Sequence, residues 1–173
     1  MEGKIICNIA ISLDGYIADE HDGYDWIQGH HDSSLDTIHP YTYEAFLETI
    51  DAVVMGKRCF DLKMHGQFKD QRIMVLTHQT MQNQDNVEFL SAYDFHIIKN
   101  LKQQGKNVYV FGGGVLVSAL LKEQLIDEFI IGIIPVLLGT GIKLFHTGYP
   151  TQSLALMGTK IEDGIVLLFY HKR

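Results

Sequence analysis

Val108-Tyr-Val-Phe-Gly-Gly-Gly114-Val-Leu-Val-Ser-Ala-Leu-Leu121 is the stretch on which the fold turns. Val108 to Phe111 are β-branched or aromatic and suit a strand, whereas Val115, Leu116, Ala119 and Leu120 recur at helical spacing. Gly112, Gly113 and Gly114 sit at the join. A strand-to-helix turn without side chains lets phosphates approach the backbone, and the free N–H groups and dipole at the helix start favour anions. The triplet serves equally well as a plain turn, because turns also need glycine. It does not spell G-x-G-x-x-G, since Val117 stands where a third small residue is required. No G-x-x-x-x-G-K-[ST] occurs either, so neither a Rossmann fingerprint nor a P-loop is present.

Working outward, the chain alternates strand and helix patterns up to about residue 120 and then carries strands alone. Lys4 to Ser12 is a nearly continuous apolar run, fitting a central strand covered on both faces. Tyr43, Phe46, Leu47 and Ile50 give a helix face. Asp51 to Gly56 is a short buried strand that breaks into Lys57 and Arg58, and Arg72 to His78 is another strand, with Thr77 and His78 as donors at its C-terminal end. Val87 to Leu90 is a short strand, and Asp94 caps a helix that carries Phe95, Ile98 and Leu101 and stops at Gly105. Phe129 to Val136 is an apolar strand running into Pro135-Val-Leu-Leu-Gly-Thr-Gly141, Leu154 to Met157 is weaker, and Ile165 to Tyr170 is the last. The pattern predicts an α/β fold with a mainly parallel central sheet and antiparallel C-terminal strands. With 173 residues and no repeat or linker, residues 1–173 read as a single domain.

Three strand ends look ready for a ligand: Gly56-Lys57-Arg58, Thr77-His78 and Gly112 to Gly114. Ligands of open α/β sheets lie across the carboxyl ends of strands, so the coincidence of the three points to a phosphate-bearing cofactor. Composition narrows the partners. A net charge of −7 excludes a general nucleic-acid binder. No apolar run approaches the ~18 residues of a membrane span. Met-Glu-Gly-Lys at the start lacks the apolar core and cleavage site of a signal peptide. Cys7 and Cys59 are too few for a disulfide framework, so a reducing, cytoplasmic location is expected. Between Lys4 and Lys57 stand ten carboxylates and no Lys or Arg, so whatever docks on that segment is not strongly anionic. The polar stretch from Asp19 to about Pro40, anchored by Tyr24, Trp26 and Ile27, is long enough to be a covering loop.

The three strand ends, in that order, resemble the NADPH-binding side of the dihydrofolate reductase fold, and the resemblance covers nearly the whole chain. It implies a three-layer dihydrofolate reductase-like architecture. It also implies that Ala10 and Ile17 touch the nicotinamide carboxamide through their backbones. Gly56, Lys57 and Arg58 would grip the pyrophosphate and 2′-phosphate, Thr77 and His78 the adenosine side, and Gly112, Gly113, Gly114 and Val115 the pyrophosphate turn. Ser12-Leu13-Asp14-Gly15 with Trp26-Ile27, and Pro135 to Gly141, are similar to motifs of the reductase domain of bacterial riboflavin biosynthesis. The zinc signature of the deaminase that often precedes that domain, H-x-E with P-C-x-x-C, is nowhere in these residues. The resemblance therefore implies an NADPH-dependent reductase, 5-amino-6-(5-phosphoribosylamino)uracil reductase-like, acting on a small pyrimidine-like, pterin-like or carbonyl substrate.

Two alternatives stay open. A true dihydrofolate reductase carries a pterin-orienting carboxylate where this chain has His39-Pro40-Tyr41, and a non-catalytic nucleotide-binding module would need only the cofactor half. Hydride transfer needs a held nicotinamide, excluded water and, usefully, a proton donor. Asp14 is the catalytic candidate, with a turn residue as the alternative reading. Ser12, Asp25 and Trp26 are the substrate-side candidates. His30-His31-Asp32 is not taken as a metal site, since adjacent side chains rarely share an ion. Cys59 is read as a small residue beside the cofactor. A homodimer paired through Phe129 to Val136 is expected by the same resemblance.

Overall fold

The computed structural model describes residues 1–92 and 94–173. The chain runs β1 (Ile5–Ser12), β2 (Tyr16–Ala18), α1 (Tyr43–Glu48), β3 (Ala52–Gly56), α2 (Lys57–Asp61), a 3-10 turn (Met64–Gln67), β4 (Arg72–Thr77) and β5 (Val87–Ser91). It continues through α3 (His96–Gln103), β6 (Val108–Val110), α4 (Gly114–Lys122), β7 (Glu128–Ile134), β8 (Ile142–Lys143), β9 (Leu154–Glu162) and β10 (Ile165–Lys172). One eight-stranded sheet has the order β5-β4-β3-β6-β1-β7-β10-β9. Every pairing from β5 across to β7 is parallel, and β10 is antiparallel to both β7 and β9. This is the mixed sheet expected from the order of patterns, in a dihydrofolate reductase-like fold.

Strand alternation makes the three layers. Along β1, Ile5 and Cys7 face a core that holds Val54, Met74, Val110 and, from α3 and α4, Ile98 and Leu120. Ile6 faces the opposite core, with Val53, Met55, Phe68 and, from α1, Phe46. Both faces of the parallel strands are thus dry, which is why they read as near-continuous apolar runs. The helix ends follow their local chemistry. Thr42 caps α1 by accepting from the Ala45 backbone at 3.3 Å, and Gly105 leaves α3 at φ 81°. Phe95 rather than the expected Asp94 is the N-cap of α3, and Asp94, one residue earlier, accepts from the His96 backbone at 3.2 Å. No helix among the described residues is long and apolar enough to cross a membrane.

Two further expectations need correction, and one small feature was not foreseen. β9 spans nine residues rather than the four from Leu154 to Met157. Asp163 and Gly164, at φ 50° and 77°, form a tight hairpin that forces Glu162 opposite Ile165, so the antiparallel ladder extends where apolar alternation had faded. A small second sheet pairs β2 with β8 and was not visible as a strand pattern, because two and three residues are too short to show a period. Finally, β7, the strand expected to pair across a homodimer, is hydrogen-bonded to β1 on one side and β10 on the other, which leaves it no free edge.

Candidate active site

Parallel strands aim their carboxyl ends the same way, so the neighbours β4, β3, β6 and β1 deliver their endings to one side of the sheet. There the structure has a cleft of about 940 Å³. From β1 and β2 come Ala10 and Ile17, and from β3 and α2 come Gly56, Lys57 and Arg58. Thr77 and His78 follow β4, and Gly112, Gly113, Gly114 and Val115 join β6 to α4. All the residues expected on a cofactor therefore share one cleft.

The glycines there are not interchangeable. A Cβ on Gly56 or Gly113 would meet nothing within 4 Å, so at these points bare backbone faces open space. A Cβ on Gly112 would lie 3.4 Å from the Gly56 nitrogen, which reflects the close approach of the β3 and β6 ends. A Cβ on Gly114 would fall 2.3 Å from the Lys143 carbonyl and 2.7 Å from that of Leu144. Gly114 is therefore required by packing against the segment after β8. Gly113 is the N-cap of α4 with no side chain capping it, so the helix start keeps donors available for a ligand oxygen. Bare backbone, a helix N-terminus and two cations fit the phosphates of a dinucleotide.

Those cations already have partners. Lys57 reaches Asp61 one turn along α2 at 2.7 Å, and Arg58 pairs with Asp22 from the covering loop. The Thr77 hydroxyl accepts from the Gln79 backbone at 3.1 Å. Burial pushes the Cys59 thiol up, against the lowering effect of a Gly113 backbone hydrogen bond and the Arg58 charge. Cys59 lines the cleft as a neutral thiol, as a packed small residue should.

Ser12, Asp14, Asp25 and Trp26 do not line the cleft. The Ser12 hydroxyl, fully buried, donates to Asp14 at 2.6 Å and accepts from the Tyr16 backbone at 2.9 Å. Asp14 also accepts from the backbones of Leu138 at 3.1 Å and Gly139 at 2.7 Å. The hydrogen bond from Ser12, then those from Gly139 and Leu138, hold its carboxyl down at about 2. A carboxylate so stabilised is ionised at neutral pH and poorly suited to donate a proton. Together these bonds lock the Ser12–Gly15 turn to the Pro135–Gly141 segment. Trp26 donates its ring N–H to the Gly23 carbonyl at 3.1 Å, while Asp25 is exposed and its carbonyl accepts from Gln28. Among the described residues no group of His, Cys, Asp and Glu is arranged to hold a metal.

A polar cluster missed in the sequence occupies the cleft instead. Asn8, Tyr43, Gln67 and Tyr109 line it. Asn8 donates its side-chain N–H to the Tyr41 hydroxyl at 2.6 Å, and Tyr109 donates to the Asn8 carbonyl at 2.9 Å. Tyr43 lies within weak hydrogen-bond reach of Tyr109 at 3.5 Å and Gln67 at 3.4 Å. Burial raises the phenols of Tyr41, Tyr43 and Tyr109, so they remain neutral hydroxyls. The one available signal was Asn8, a lone amide in the middle of an apolar strand.

Comparison with known proteins is consistent with this geometry. Residues 51–166, more than half of the chain, match the family model described as RibD C-terminal domain. The chain belongs to the RibD C-terminal domain family. A relative of matching length is the uncharacterized protein YwjB of Bacillus subtilis strain 168, 36% identical over 98% of each chain. Among solved structures, a protein from Shewanella sp. PV-4 provisionally named for riboflavin biosynthesis superimposes with a TM-score of 0.81. It is 28% identical, over 98% of this chain and 99% of that one. A dihydrofolate reductase from Enterococcus faecalis, complexed with NADP(H), gives 0.68 at 14% identity over 100% and 98%, a likeness of fold alone.

Proposed function

We propose that this chain is an NADPH-dependent reductase of the riboflavin-biosynthesis reductase type, acting on a small uncharged pyrimidine-like, pterin-like or carbonyl substrate. The observation that carries the reading is the convergence of Gly56–Arg58, Thr77–His78 and Gly112–Val115 on one cleft. Membership of the RibD C-terminal domain family supports a riboflavin-pathway-type reductase. The bound nicotinamide would supply the hydride. The chain's own part is to seat phosphates at the start of α4, where Gly113 leaves the approach open, to offer Lys57 and Arg58 as counter-charges, and to enclose the ring between β1 and β2.

The substrate reading rests on the tyrosine cluster. Tyr43 and Gln67 offer neutral donors and acceptors, the pattern that suits an amide-bearing or carbonyl ring, while the donors of Asn8 and Tyr109 are taken within the cluster and hold it in place. Among the described residues lining the cleft the only carboxylate is Asp22, already on Arg58. That arrangement does not favour folate reduction, in which a carboxylate orients the pterin. Nor does a cation accompany the tyrosines to receive a substrate phosphate.

Calorimetric titration with NADPH and NADH, followed by loss of reduced-nicotinamide absorbance with a panel of pyrimidines, pterins and ketones, tests the proposal. Binding of NADPH with turnover of an uncharged ring is the expected result. Absence of dinucleotide binding would sink it, and tight binding without turnover of any candidate would favour the non-catalytic module. We also propose that any homodimer uses β9, the edge strand of the sheet that exposes Leu156 and Met157. Sedimentation as a monomer at micromolar concentration would exclude it.

A further inference from the structure

Asp22 was not among the residues expected to touch a ligand, yet it lines the cleft. The turn that carries it is closed on itself. Asp19 accepts through one carboxylate oxygen from the backbones of His21 at 2.8 Å and Gly23 at 2.7 Å, and its own N–H donates to the Gly23 carbonyl at 2.9 Å. Inside this turn Asp22 takes φ 65°, a left-handed conformation that Asp and Asn tolerate better than other side chains. Its carboxylate thereby reaches α2 and accepts from the Arg58 guanidinium. Only a quarter of the Asp22 side chain is exposed, against 69% of Arg58, so the base is the partner more open to an incoming ligand.

Carboxylate and phosphate oxygens satisfy a guanidinium in the same way. Lys57 and Arg58 are the only Lys or Arg among the described residues lining the cleft, and Lys57 is held by Asp61 on its own helix. A dinucleotide whose pyrophosphate lies on the glycine turn leaves Arg58 as the best exposed cation for any further phosphate. Asp22 stands on that cation.

We propose that Asp22 is an internal anion that competes with a ligand's additional phosphate for Arg58, making it a specificity-determining residue that discounts NADPH relative to NADH and straps the covering loop to α2 until the phosphate displaces it. This inference rests on the dinucleotide reading of the cleft. NADH, with no ribose phosphate, leaves the Asp22–Arg58 pair closed. NADPH must break the pair and then binds beside a freed carboxylate of its own sign.

The decisive variant is Asp22→Asn, which keeps the shape and the tolerance of φ 65° while removing the charge. Full-length wild type and variant are titrated calorimetrically with NADPH and NADH at low ionic strength. The variant should bind NADPH ~5-fold tighter, the scale of a partly exposed charge interaction, and NADH within ~2-fold of wild type. The NADPH gain should vanish in the double variant D22N/R58Q and shrink in high salt. An equal change for both dinucleotides, weaker NADPH binding by the variant, or a gain that survives loss of Arg58 would overturn the proposal. Wild type binding neither dinucleotide would instead remove the reading beneath it, a different and separately visible failure. Unfolding curves for each variant establish that the titrated protein is folded.

Discussion

Two corners of the molecule carried similar promise in the sequence, and they differ in where their hydrogen-bonding groups point. At Ser12–Gly15 a serine, an aspartate and a glycine end the central strand, beside the Pro135–Gly141 segment. At Gly112–Gly114 three glycines end its neighbour. In the first corner the chain uses its own polar groups up: Ser12 serves Asp14 and Tyr16, and Asp14 serves Ser12, Leu138 and Gly139. In the second, a side chain on Gly56 or Gly113 would meet only open space, and no side chain caps the start of α4. The lesson is that a polar motif marks a ligand site only where its donors and acceptors are left unspent by the fold.

The comparison can be broken most sharply within the glycine triplet itself. Gly114→Ala should destabilise the protein by about 3 kcal/mol, since its Cβ would meet the Lys143 backbone at 2.3 Å and backbone cannot step aside cheaply. Denaturant unfolding measures this, and a loss under ~1 kcal/mol would mean that the close contact relaxes freely. Gly113→Ala should cost stability only about 1 kcal/mol as an N-cap change while weakening dinucleotide binding at least ~10-fold, because its methyl group projects into open cleft. A variant that binds as wild type does would place the phosphates elsewhere.

The locked corner makes a prediction in pH. Asp14 has a folded-state value of about 2 against an ordinary 3.8. Its depressed value means that its contribution is fully present above the ordinary value and is lost as pH falls through the folded one. Asp14→Asn should therefore be less stable than wild type at neutral pH, with the gap closing between pH 3.8 and about 2. Parallel acid-unfolding curves would contradict the lock. If Asp14 were the proton donor, the variant would instead lose turnover without losing stability.

Smaller effects sharpen the contrast. Tyr109→Phe deletes the hydrogen bond to the Asn8 carbonyl and should cost ~1 kcal/mol, with dinucleotide affinity unchanged and substrate KM raised. Asp61→Asn, removing an exposed partner of Lys57, should change stability by no more than ~0.5 kcal/mol. A larger effect there would mean that the pair fixes α2 against the cleft.

Much of this was legible in the chain because it depended on local pattern. Buried parallel strands must be apolar on both faces, so β1, β3, β4, β6 and β7 announced themselves, and β4 was read one residue long, through His78, against its observed Arg72–Thr77. Strand-end glycines and the Lys57–Arg58 pair were equally visible, since each is a run of neighbouring residues. Tertiary structure decided what depends on residues far apart in sequence. It brought Asp22 to Arg58 across 36 positions and Asn8 to Tyr109 across 101. It turned Asp14 onto a backbone 125 residues away, and it set β7 between two partners so that no edge remained. Sequence patterning determined which segments are buried and which strand ends run into glycine. Only the fold decided which charges and hydroxyls remain available there, because a side chain's chemistry is set by the partner that reaches it, and those partners come from distant parts of the chain.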